Sequence, residues 1–459
     1  MHEFKDSNKK VFLMSLPIFV ELLLQLLVGN IDQVMLSHIS QSDVAAIGNA
    51  NQITNIIVIA MELLSSAALI LNSQYLGAND TKRTYAVCHV VIIVVGIFAL
   101  CAGAMCVLLP RTIFSLMNVP SDVIGGSVKY LSIIGVFFIV QGIYVSLAAI
   151  LRSYGCVKEV MFISLIMNVI NICGNTILIN GLFFFPKLGI AGAAISTNIS
   201  KFIGMVIMYR IFRKSTGIKF SLRYIKPFPF DTLKILLKIG IPTGAEAFSY
   251  NLSQIAILSF INIFGTNVIA TKVYSSMFAN IAYLYSMAIA QSAQINIGYL
   301  VGSKNLERIP HRVYLTSVIC IAVSVSVTIF IFINSRFIYS IFTSEQEILL
   351  LGHAIMFIEI FLEIGRSINI VMTKCLVAIN DVYFPVIIGI LSQWTVGVGF
   401  GYLIGVHFAF GLVGIWICMA CDEALRGILF LIRFKLGIWR KKFTALFHSR
   451  HSLIICSVD

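Results

Sequence analysis

The sequence predicts an all-α polytopic membrane protein, with twelve transmembrane helices in two six-helix lobes related by a pseudo-two-fold axis along the membrane normal. Three observations predict this fold class: an apolar composition, apolar segments of membrane-spanning length, and an internal repeat. Of the 459 residues, 59% are apolar and only 12% are charged, and the mean hydropathy is +0.95. Because a soluble domain carries about 25% charged residues, this composition excludes a water-soluble fold.

Twelve apolar segments are long enough to cross a bilayer as helices. A transmembrane helix needs about 20 residues, which is too long for the strand of a membrane barrel, and a helix satisfies its own backbone hydrogen bonds within lipid. The predicted spans are residues 11–36, 44–75, 85–109, 127–151, 159–182 and 188–212 in the first half, and 233–263, 268–300, 313–342, 350–378, 383–405 and 409–434 in the second.

The second half of the chain repeats the first at an offset of about 225 residues. This shift places LPIFVE (residues 16–21) on IPTGAE (241–246), and both the proline and the glutamate match. It also places YLGANDTKR (75–83) on LVGSKNLER (300–308), where a glycine and an arginine match. Matches that recur in order at nearly one offset indicate a duplicated six-span unit.

The repeat divides the chain into an N-lobe at residues 1–213, a linker at 214–232, a C-lobe at 233–434 and a basic tail at 435–459. Six spans is an even number, so both lobes have the same orientation, as in parallel repeats. Two such bundles are typical of transporters that alternate between inward-open and outward-open forms, and a channel more often uses several subunits around one pore.

The basic residues predict that both termini lie in the cytoplasm. Lysine and arginine are concentrated in alternate loops, with eight in residues 210–238, whereas the opposite loops contain only Arg111, Lys187 and Arg336. Cytoplasmic loops of membrane proteins carry this excess of positive charge. The net charge of +13 therefore indicates topology and contact with anionic membrane lipids. It does not indicate nucleic-acid binding, since aromatic residues do not alternate with the basic ones.

Ionisable residues inside the spans are expensive to bury and mark candidate functional sites. Glu21 and Glu246 occupy equivalent repeat positions, each four residues after a proline, Pro17 or Pro242. A proline bends a membrane helix and frees a carbonyl, so both carboxyls are candidates to line a central cleft. The alternative is that each is protonated, or belongs to a local polar network.

Other charged residues in the spans have basic partners at helical spacing. Glu363 and Arg366 are three residues apart, and Asp422 and Arg426 are four residues apart. Pairs at these spacings lie on one face of a helix and form local ion pairs. A structural interpretation is favoured for both.

Asp32 has no basic residue at helical spacing in its own span. The fifth span carries three asparagines on one face, Asn168, Asn171 and Asn175, and amides within a membrane helix bond across the bundle. A carboxylate among amides can bind a cation, and it can titrate because burial disfavours its charged form. We favour this functional interpretation over a purely structural hydrogen-bond network.

Several motifs resemble the multidrug and toxic compound extrusion (MATE) family. LPIFVELLLQLLVGNIDQVMLSHISQSDVAAIGNA is similar to the family's first span and the entry to its second, and NVINICGNTILINGLFFFPKLGIAGAAIST is similar to its fifth and sixth spans. LAAILRSYGCVKEVM and CLVAINDVYFPV resemble the cytoplasmic turns after the fourth and tenth spans. The resemblance covers about residues 11–435.

The resemblance implies a two-lobed antiporter in the bacterial cytoplasmic (inner) membrane that exports lipophilic or cationic small molecules in exchange for H⁺ or Na⁺. It implies an N-lobe cation site at Asp32, Tyr130, Asn171 and Thr197, with Asn175 where many members have aspartate. In the C-lobe it implies carboxylates on the seventh and tenth spans. Asp381 matches the tenth-span position, and Glu246 lies one turn before the family's seventh-span glutamate, where this chain has Tyr250.

Asn175 leaves Asp32 as the only carboxylate of the N-lobe site. One fewer negative charge weakens Na⁺ binding and leaves a one-proton role intact, so we expect coupling to H⁺ rather than Na⁺. Na⁺ at Asp32 or Glu246 is the alternative. No other cofactor is expected, and the protein is expected to be a monomer.

Three other classes of function are disfavoured by the sequence. A flippase for lipid-linked oligosaccharides, in the same superfamily, needs a cleft lined by arginine and lysine, and few basic residues lie inside these spans. A membrane enzyme is disfavoured because the chain contains no HExxH motif, no histidine cluster and no nucleophile with its base. A channel or receptor is disfavoured by the repeat.

Overall fold

The computed structural model describes residues 8–37, 41–182, 185–219 and 228–440, and within the first helix it describes the side chains of residues 11–26 and 35–36. The described residues are helical and include no strand. The helices of the first half are α1 (Asn8–Ser37), α2 (Gln41–Gly77), α3 (Thr81–Leu108), α4 (Pro110–Leu116), α5 (Ser121–Val136), α6 (Phe138–Ser153), α7 (Val157–Asn180) and α8 (Ile190–Thr216).

The second half has the same order of long helices. They are α9 (Phe230–Ile261), α10 (Thr266–Gly302), α11 (Arg308–Ile333), α12 (Ser335–Ser340), α13 (Gln346–Ala378), α14 (Tyr383–Ser392) and α15 (Gly411–Lys435). Two π-helical segments, Gln393–Phe400 and Leu403–His407, continue α14. If α5 is counted with α6, and α14 with its continuation, the described residues contain twelve long helical segments, and the predicted fold class is confirmed.

Eight of these segments are long and apolar enough to cross a membrane, or nine if the bent pair α5 and α6 is one span. That pair is bent by 54° at Phe137, a feature that the predicted single span 127–151 does not contain. Among the long segments outside this set, α15 contains Asp422, Glu423 and Arg426 within its apolar part. These polar side chains face the protein interior, as described below.

The described residues form two compact units. One, here the N-unit, comprises Val20–Ile241, and the other, the C-unit, comprises the chain up to Phe19 together with the chain from Pro242 onward. The division falls within α1 and α9, next to Pro17 and Pro242. The predicted lobe boundaries at residues 213 and 233 remain a prediction.

Small residues allow the helices of the N-unit to pack closely. A Cβ atom at Gly103 of α3 would lie 2.4 Å from the carbonyl oxygen of Gly135 on α5, and one at Gly192 of α8 would lie 2.6 Å from the carbonyl oxygen of Leu178 on α7. Close backbone approach at small residues is how membrane helices gain packing energy without a hydrophobic driving force. The second contact brings α7 and α8 together beside the N-unit candidate residues.

The core of the C-unit is formed by α10, α11, α13 and α15. Ile289, Met372 and Phe430 are fully buried in one apolar cluster of these helices. The start of α1 belongs to this unit, since Ser292 Oγ donates to the carbonyl of Val11 at 2.8 Å and the rings of Phe19 and Tyr285 meet edge to face.

Candidate functional site

The predicted amide stripe of the N-unit is buried on one face of α7. Asn168, Asn171 and Asn175 are each at most 5% exposed. Asn171 Nδ2 donates to Thr197 Oγ1 of α8 at 3.0 Å, so the structure brings together two of the predicted site residues. Ser196 Oγ of α8 donates to the Asn171 carbonyl at 2.9 Å and ties the same two helices.

The other two predicted N-unit residues, Tyr130 and Asp32, take no part in the contact between Asn171 and Thr197. Tyr130 lies on α5 and is buried. Asp32 lies within α1, and its side chain is outside the described residues. Its proximity to Asn171 and Asn175 therefore remains a prediction. The Oδ1 atoms of Asn168 and Asn171 are buried and accept no hydrogen bond from the described residues, so each can accept one from a protonated carboxyl.

Glu21 is held in an ion pair that the sequence did not predict. Its carboxylate is fully buried and accepts hydrogen bonds from Nε of Arg152 at 3.3 Å and from a terminal nitrogen of the same guanidinium. Gln25 Nε2 also donates to it at 3.2 Å. Arg152 stands at the end of α6, 131 residues away in sequence, so only the packing of α1 against α6 reveals the pair.

Asp381 follows the tenth long helix and lies outside the predicted span 350–378, and its match to the family's tenth-span carboxylate remains a prediction. α13 ends at Ala378, and Asn380 follows with a φ of 66°, a left-handed conformation that breaks the helix. Asp381 is fully buried in this turn, and its carboxylate accepts hydrogen bonds from Arg433 Nε at 2.9 Å and Nη2 at 3.3 Å. A bidentate pair of this kind fixes the turn to the end of α15.

Glu246 differs from its repeat partner Glu21. It is half-buried on α9 and faces α14 at Gly389, where an added Cβ atom would lie 3.4 Å from the Glu246 Cγ. Among the described residues it forms no ion pair. Glu246 is thus a carboxyl of the C-unit whose charge is not fixed by a guanidinium in direct contact.

The C-unit contains a buried charge cluster on α13 that bridges to α15. One guanidinium nitrogen of Arg366, Nη1, lies 2.9 Å from Glu359 Oε1 and 2.9 Å from Glu363 Oε2. Trp416 Nε1 of α15 donates to Glu359 Oε2 at 2.6 Å. Both carboxylates are fully buried. Two acids therefore share one base in the interior.

A second cluster of two acids and one arginine lies on α15. Arg426 Nη2 is 2.7 Å from Asp422 Oδ2 and 2.9 Å from Glu423 Oε1. Asn369 Nδ2 of α13 donates to Glu423 Oε2 at 2.7 Å, and Ser392 Oγ of α14 donates to Asp422 Oδ1. The local pairs predicted at helical spacing are present, but each arginine is shared by two acids, which the spacing alone did not indicate.

A chain of hydroxyl groups continues from the first cluster into the core of the C-unit. Ser286 Oγ of α10 donates to Glu363 Oε1 at 3.2 Å, lies 2.8 Å from Ser324 Oγ of α11 and 3.3 Å from Ser367 Oγ, and accepts from Cys320 Sγ at 3.4 Å. Hydroxyl groups both donate and accept, so this network can reorganise when Glu363 gains or loses a proton.

Comparison of the sequence with known proteins assigns the chain to one family. The sequence model of the MatE family matches residues 17–177 and 242–403. The two matches begin 225 residues apart, which is the offset of the internal repeat. The chain is 36% identical over 437 residues to the uncharacterized transporter YisQ of Bacillus subtilis (strain 168), covering 95% of this chain and 96% of the relative.

More distant relatives share nearly the full length. The probable multidrug resistance protein NorM of Thermotoga maritima is 24% identical over 445 residues, covering 96% of this chain and 95% of NorM. A crystal structure of MATE in the bent conformation has a TM-score of 0.87 at 18% identity, covering 96% of this chain and 98% of that one. This likeness confirms the fold. The chain therefore belongs to the MatE family, the multidrug and toxic compound extrusion transporters.

Proposed function

We propose that this protein is an antiporter that exports organic cations from the bacterial cytoplasm in exchange for protons, by alternating access. Both termini lie in the cytoplasm, and the protein works as a monomer in contact with anionic lipid. The observation that carries this proposal is the composition of the two C-unit clusters, in which two carboxylates share one arginine. When all groups are ionised, each cluster keeps one excess negative charge.

An excess charge in the interior is costly and must be neutralised by a proton or a cation. A metal ion at either cluster would approach the carboxylates beside a guanidinium nitrogen 2.7–2.9 Å away, which repels it. A proton joins one carboxyl oxygen directly and needs no coordination shell. The two clusters therefore favour H⁺ over Na⁺ as the coupling ion.

In the N-unit we assign coupling to Asp32, supported by Asn171, Asn175, Tyr130 and Thr197. Thr197 fixes the donor nitrogen of Asn171, which leaves the Asn171 amide oxygen as an acceptor. A protonated Asp32 can donate to such an oxygen, whereas an ionised Asp32 cannot. A change in protonation at Asp32 therefore changes the hydrogen bonding of α7.

In the transport cycle, Asp32 takes up a proton in the outward-open form, and this favours release of the exported cation. The protonated protein turns inward, loses the proton and binds the next substrate. A ligand shifts this equilibrium only through its different affinities for the two states. By reciprocity, proton and substrate weaken each other's binding.

The ion pairs of Glu21 and Asp381 favour a structural role for both. Glu246, which forms no ion pair among the described residues, remains the C-unit candidate. The arginines of the two C-unit clusters do not favour the flippase alternative. Arg366 and Arg426 are each already bonded to two carboxylates. A pyrophosphate would have to displace both acids to bind either one.

The test is transport by purified protein in proteoliposomes with ethidium as the fluorescent cation. We expect an imposed pH gradient to drive ethidium movement, and a Na⁺ gradient at equal pH to drive none. We expect Asp32→Asn to abolish the pH-driven movement, because asparagine cannot carry the proton. Transport by a Na⁺ gradient alone would overturn the choice of proton.

Asp80→Asn is the matched control for this substitution. Asp80 caps the start of α3, where its Oδ1 accepts from the Arg83 N–H at 3.0 Å. Asparagine caps a helix about as well as aspartate, so this variant should transport like the wild type. Normal pH-driven efflux by Asp32→Asn would show that Asp32 is not the coupling residue.

A further inference from the structure

Two short helices occupy equivalent positions in the repeat. α4 (Pro110–Leu116) begins one residue after the end of α3, α12 (Ser335–Ser340) begins one residue after the end of α11, and their first residues are 225 positions apart. α3 and α11 are among the helices long and apolar enough to cross a membrane. With 28 and 26 residues, they are about 42 and 39 Å long, whereas the hydrocarbon core of a bilayer is about 30 Å thick. Each short helix therefore lies where its span leaves the hydrocarbon, at the level of the lipid headgroups.

Both short helices turn the same positions inward. Phe114 of α4 and Tyr339 of α12 stand 225 residues apart, and both are fully buried. Pro110 and Ser335, the first residues of the two helices, are buried as well. The Tyr339 hydroxyl is hydrogen-bonded to Ser275 Oγ of α10. One aromatic ring thus fixes each short helix to its own unit.

Both short helices also turn the same positions outward. Arg111 and Arg336, again 225 residues apart, are exposed, and neither forms an ion pair with the described residues. The apolar side chains at two further pairs of equivalent positions are between 65% and 80% exposed, namely Leu108 and Ile333, and Leu116 and Ile341. Exposed apolar groups that adjoin polar ones mark an interaction surface. A partner that is charged at one end and apolar along the rest fits this surface.

The membrane topology does not explain the two arginines. The loops opposite the predicted cytoplasmic loops contain only Arg111, Lys187 and Arg336 as basic residues, and basic residues are disfavoured on that side. Two of the three stand at one repeat position. Arginine side chains near the ends of membrane helices reach the headgroup level, and a guanidinium presents its N–H donors as a planar fork that fits two phosphate oxygens. At this depth the phosphate within reach is that of a phospholipid.

We propose that α4 and α12 are two phospholipid-binding surfaces, one in each unit, at the membrane face opposite the predicted cytoplasmic loops. Arg111 and Arg336 each bind the phosphodiester of one lipid, and Leu108 and Ile333, at the ends of the preceding spans, contact its acyl chains. The proposed contact with anionic lipid follows from the basic cytoplasmic loops and concerns the other face. This inference goes beyond the proposed transport and depends on neither the exported cation nor the coupling ion.

The test places one tryptophan beside each arginine. Ser115 and Ser340 are exposed and stand four residues after Arg111 and Arg336. Side chains four residues apart on a helix are neighbours, so Ser115→Trp and Ser340→Trp report on the two surfaces. Each full-length reporter protein is purified in detergent and titrated with phosphatidylglycerol that is brominated near the carbonyl of one acyl chain. Bromine quenches tryptophan fluorescence on contact, and a titration of the protein without a reporter is subtracted to remove the signal of the native tryptophans.

We expect Arg111→Gln to raise the lipid concentration that half-quenches the Ser115→Trp reporter about tenfold, the size of effect expected for a hydrogen bond to a charged group. Arg336→Gln should do the same for the Ser340→Trp reporter. Each arginine variant is the matched control for the other reporter, because it removes the same charge from the same membrane face. There it should leave the half-quenching concentration unchanged. Both variants should fold, since neither arginine has an ion-pair partner among the described residues.

A competition experiment separates a lipid from a soluble phosphate. Glycerol phosphate carries the headgroup phosphate without acyl chains, so an excess of it should leave the quenching as it is in sodium chloride of equal ionic strength. Displacement of the brominated lipid by glycerol phosphate would show a site for soluble anions and would overturn the assignment to lipid.

The arginine variants provide the second way to refute the inference. An unchanged half-quenching concentration when Arg111→Gln and Arg336→Gln are each measured with their own reporter would overturn it. Equal effects of both variants on one reporter would also overturn it, because the lipid would then respond only to net charge. If one reporter protein elutes as an aggregate in size-exclusion chromatography, the other reporter decides the question.

Discussion

Replacing Arg152 by methionine should destabilise the N-unit far more than removing an arginine from a surface pair. In the structure, the Arg152 side chain is 15% exposed and its partner Glu21 is 0% exposed. Methionine keeps much of the volume of the arginine stem but removes the guanidinium. The Glu21 carboxylate would then be left buried with only the amide of Gln25 as a donor.

The magnitude follows from this burial. Removing one partner of a buried ion pair costs about 3–5 kcal/mol, because the remaining charge has no counter-charge. One kcal/mol shifts the melting temperature of a 150–250-residue unit by about 2–4 °C. The N-unit, Val20–Ile241, is within this size range. We therefore expect a fall of about 10 °C in melting temperature for Arg152→Met.

The chain offers a matched control in the exposed pair of Arg83 and Asp80, with side chains 41% and 32% exposed and a closest distance of 3.4 Å. A pair screened by solvent contributes about 0–1 kcal/mol, so Arg83→Met should lower the melting temperature by a few degrees at most. The assay is thermal unfolding of the purified variants in detergent, followed by loss of the monomer peak in size-exclusion chromatography.

A double variant shows whether the buried charge is the cause. Glu21→Gln combined with Arg152→Met removes both charges, and we expect it to be more stable than Arg152→Met alone. If Arg152→Met and Arg83→Met unfold at the same temperature, or if the double variant is the least stable of all, the assignment of Glu21 as a buried, ionised partner is wrong.

Two further predictions concern packing and charge. Gly192→Ala should destabilise the protein by about 1–3 kcal/mol, since its Cβ atom would lie 2.6 Å from the carbonyl oxygen of Leu178. Gly96→Ala is the control, because its Cβ atom would have nothing within 4 Å. It should be neutral or stabilising in the same thermal assay. Arg366→Met should abolish accumulation of folded protein in the membrane, because two buried carboxylates lose their shared base. Adding Glu363→Gln to this variant should restore part of the accumulation. Immunoblotting of membrane fractions measures both effects.

Hydropathy and the repeat were sufficient to predict the fold class, because the length of an apolar segment is set by the bilayer. They did not predict the 54° bend at Phe137 or the π-helical segment at Gln393. Neither break contains a proline, and the glycines near both breaks do not by themselves predict a bend. Such distortions arise from side-chain packing between helices, which the sequence of one helix does not describe.

Prediction of the site succeeded where the partners lie on one helix and failed where they lie on different helices. The pair Asp422 and Arg426 follows from a spacing of four residues, and the structure contains it. The partners of Glu21 and Asp381 are 131 and 52 residues away, and only tertiary packing selects them. The contact between Asn171 and Thr197 was expected from family resemblance alone, because nothing in the sequence between them indicates it.

The division of α1 has a consequence for biosynthesis. The first part of this helix emerges first from the ribosome, but the residues it packs against, such as Tyr285 and Ser292, are synthesised more than 200 residues later. Chains generally fold as units in the order of synthesis. Here the segment before Val20 must stay in the bilayer without its partners until translation is well into the second half. A fragment of the chain that ends before Pro242 therefore lacks the surface on which this segment folds.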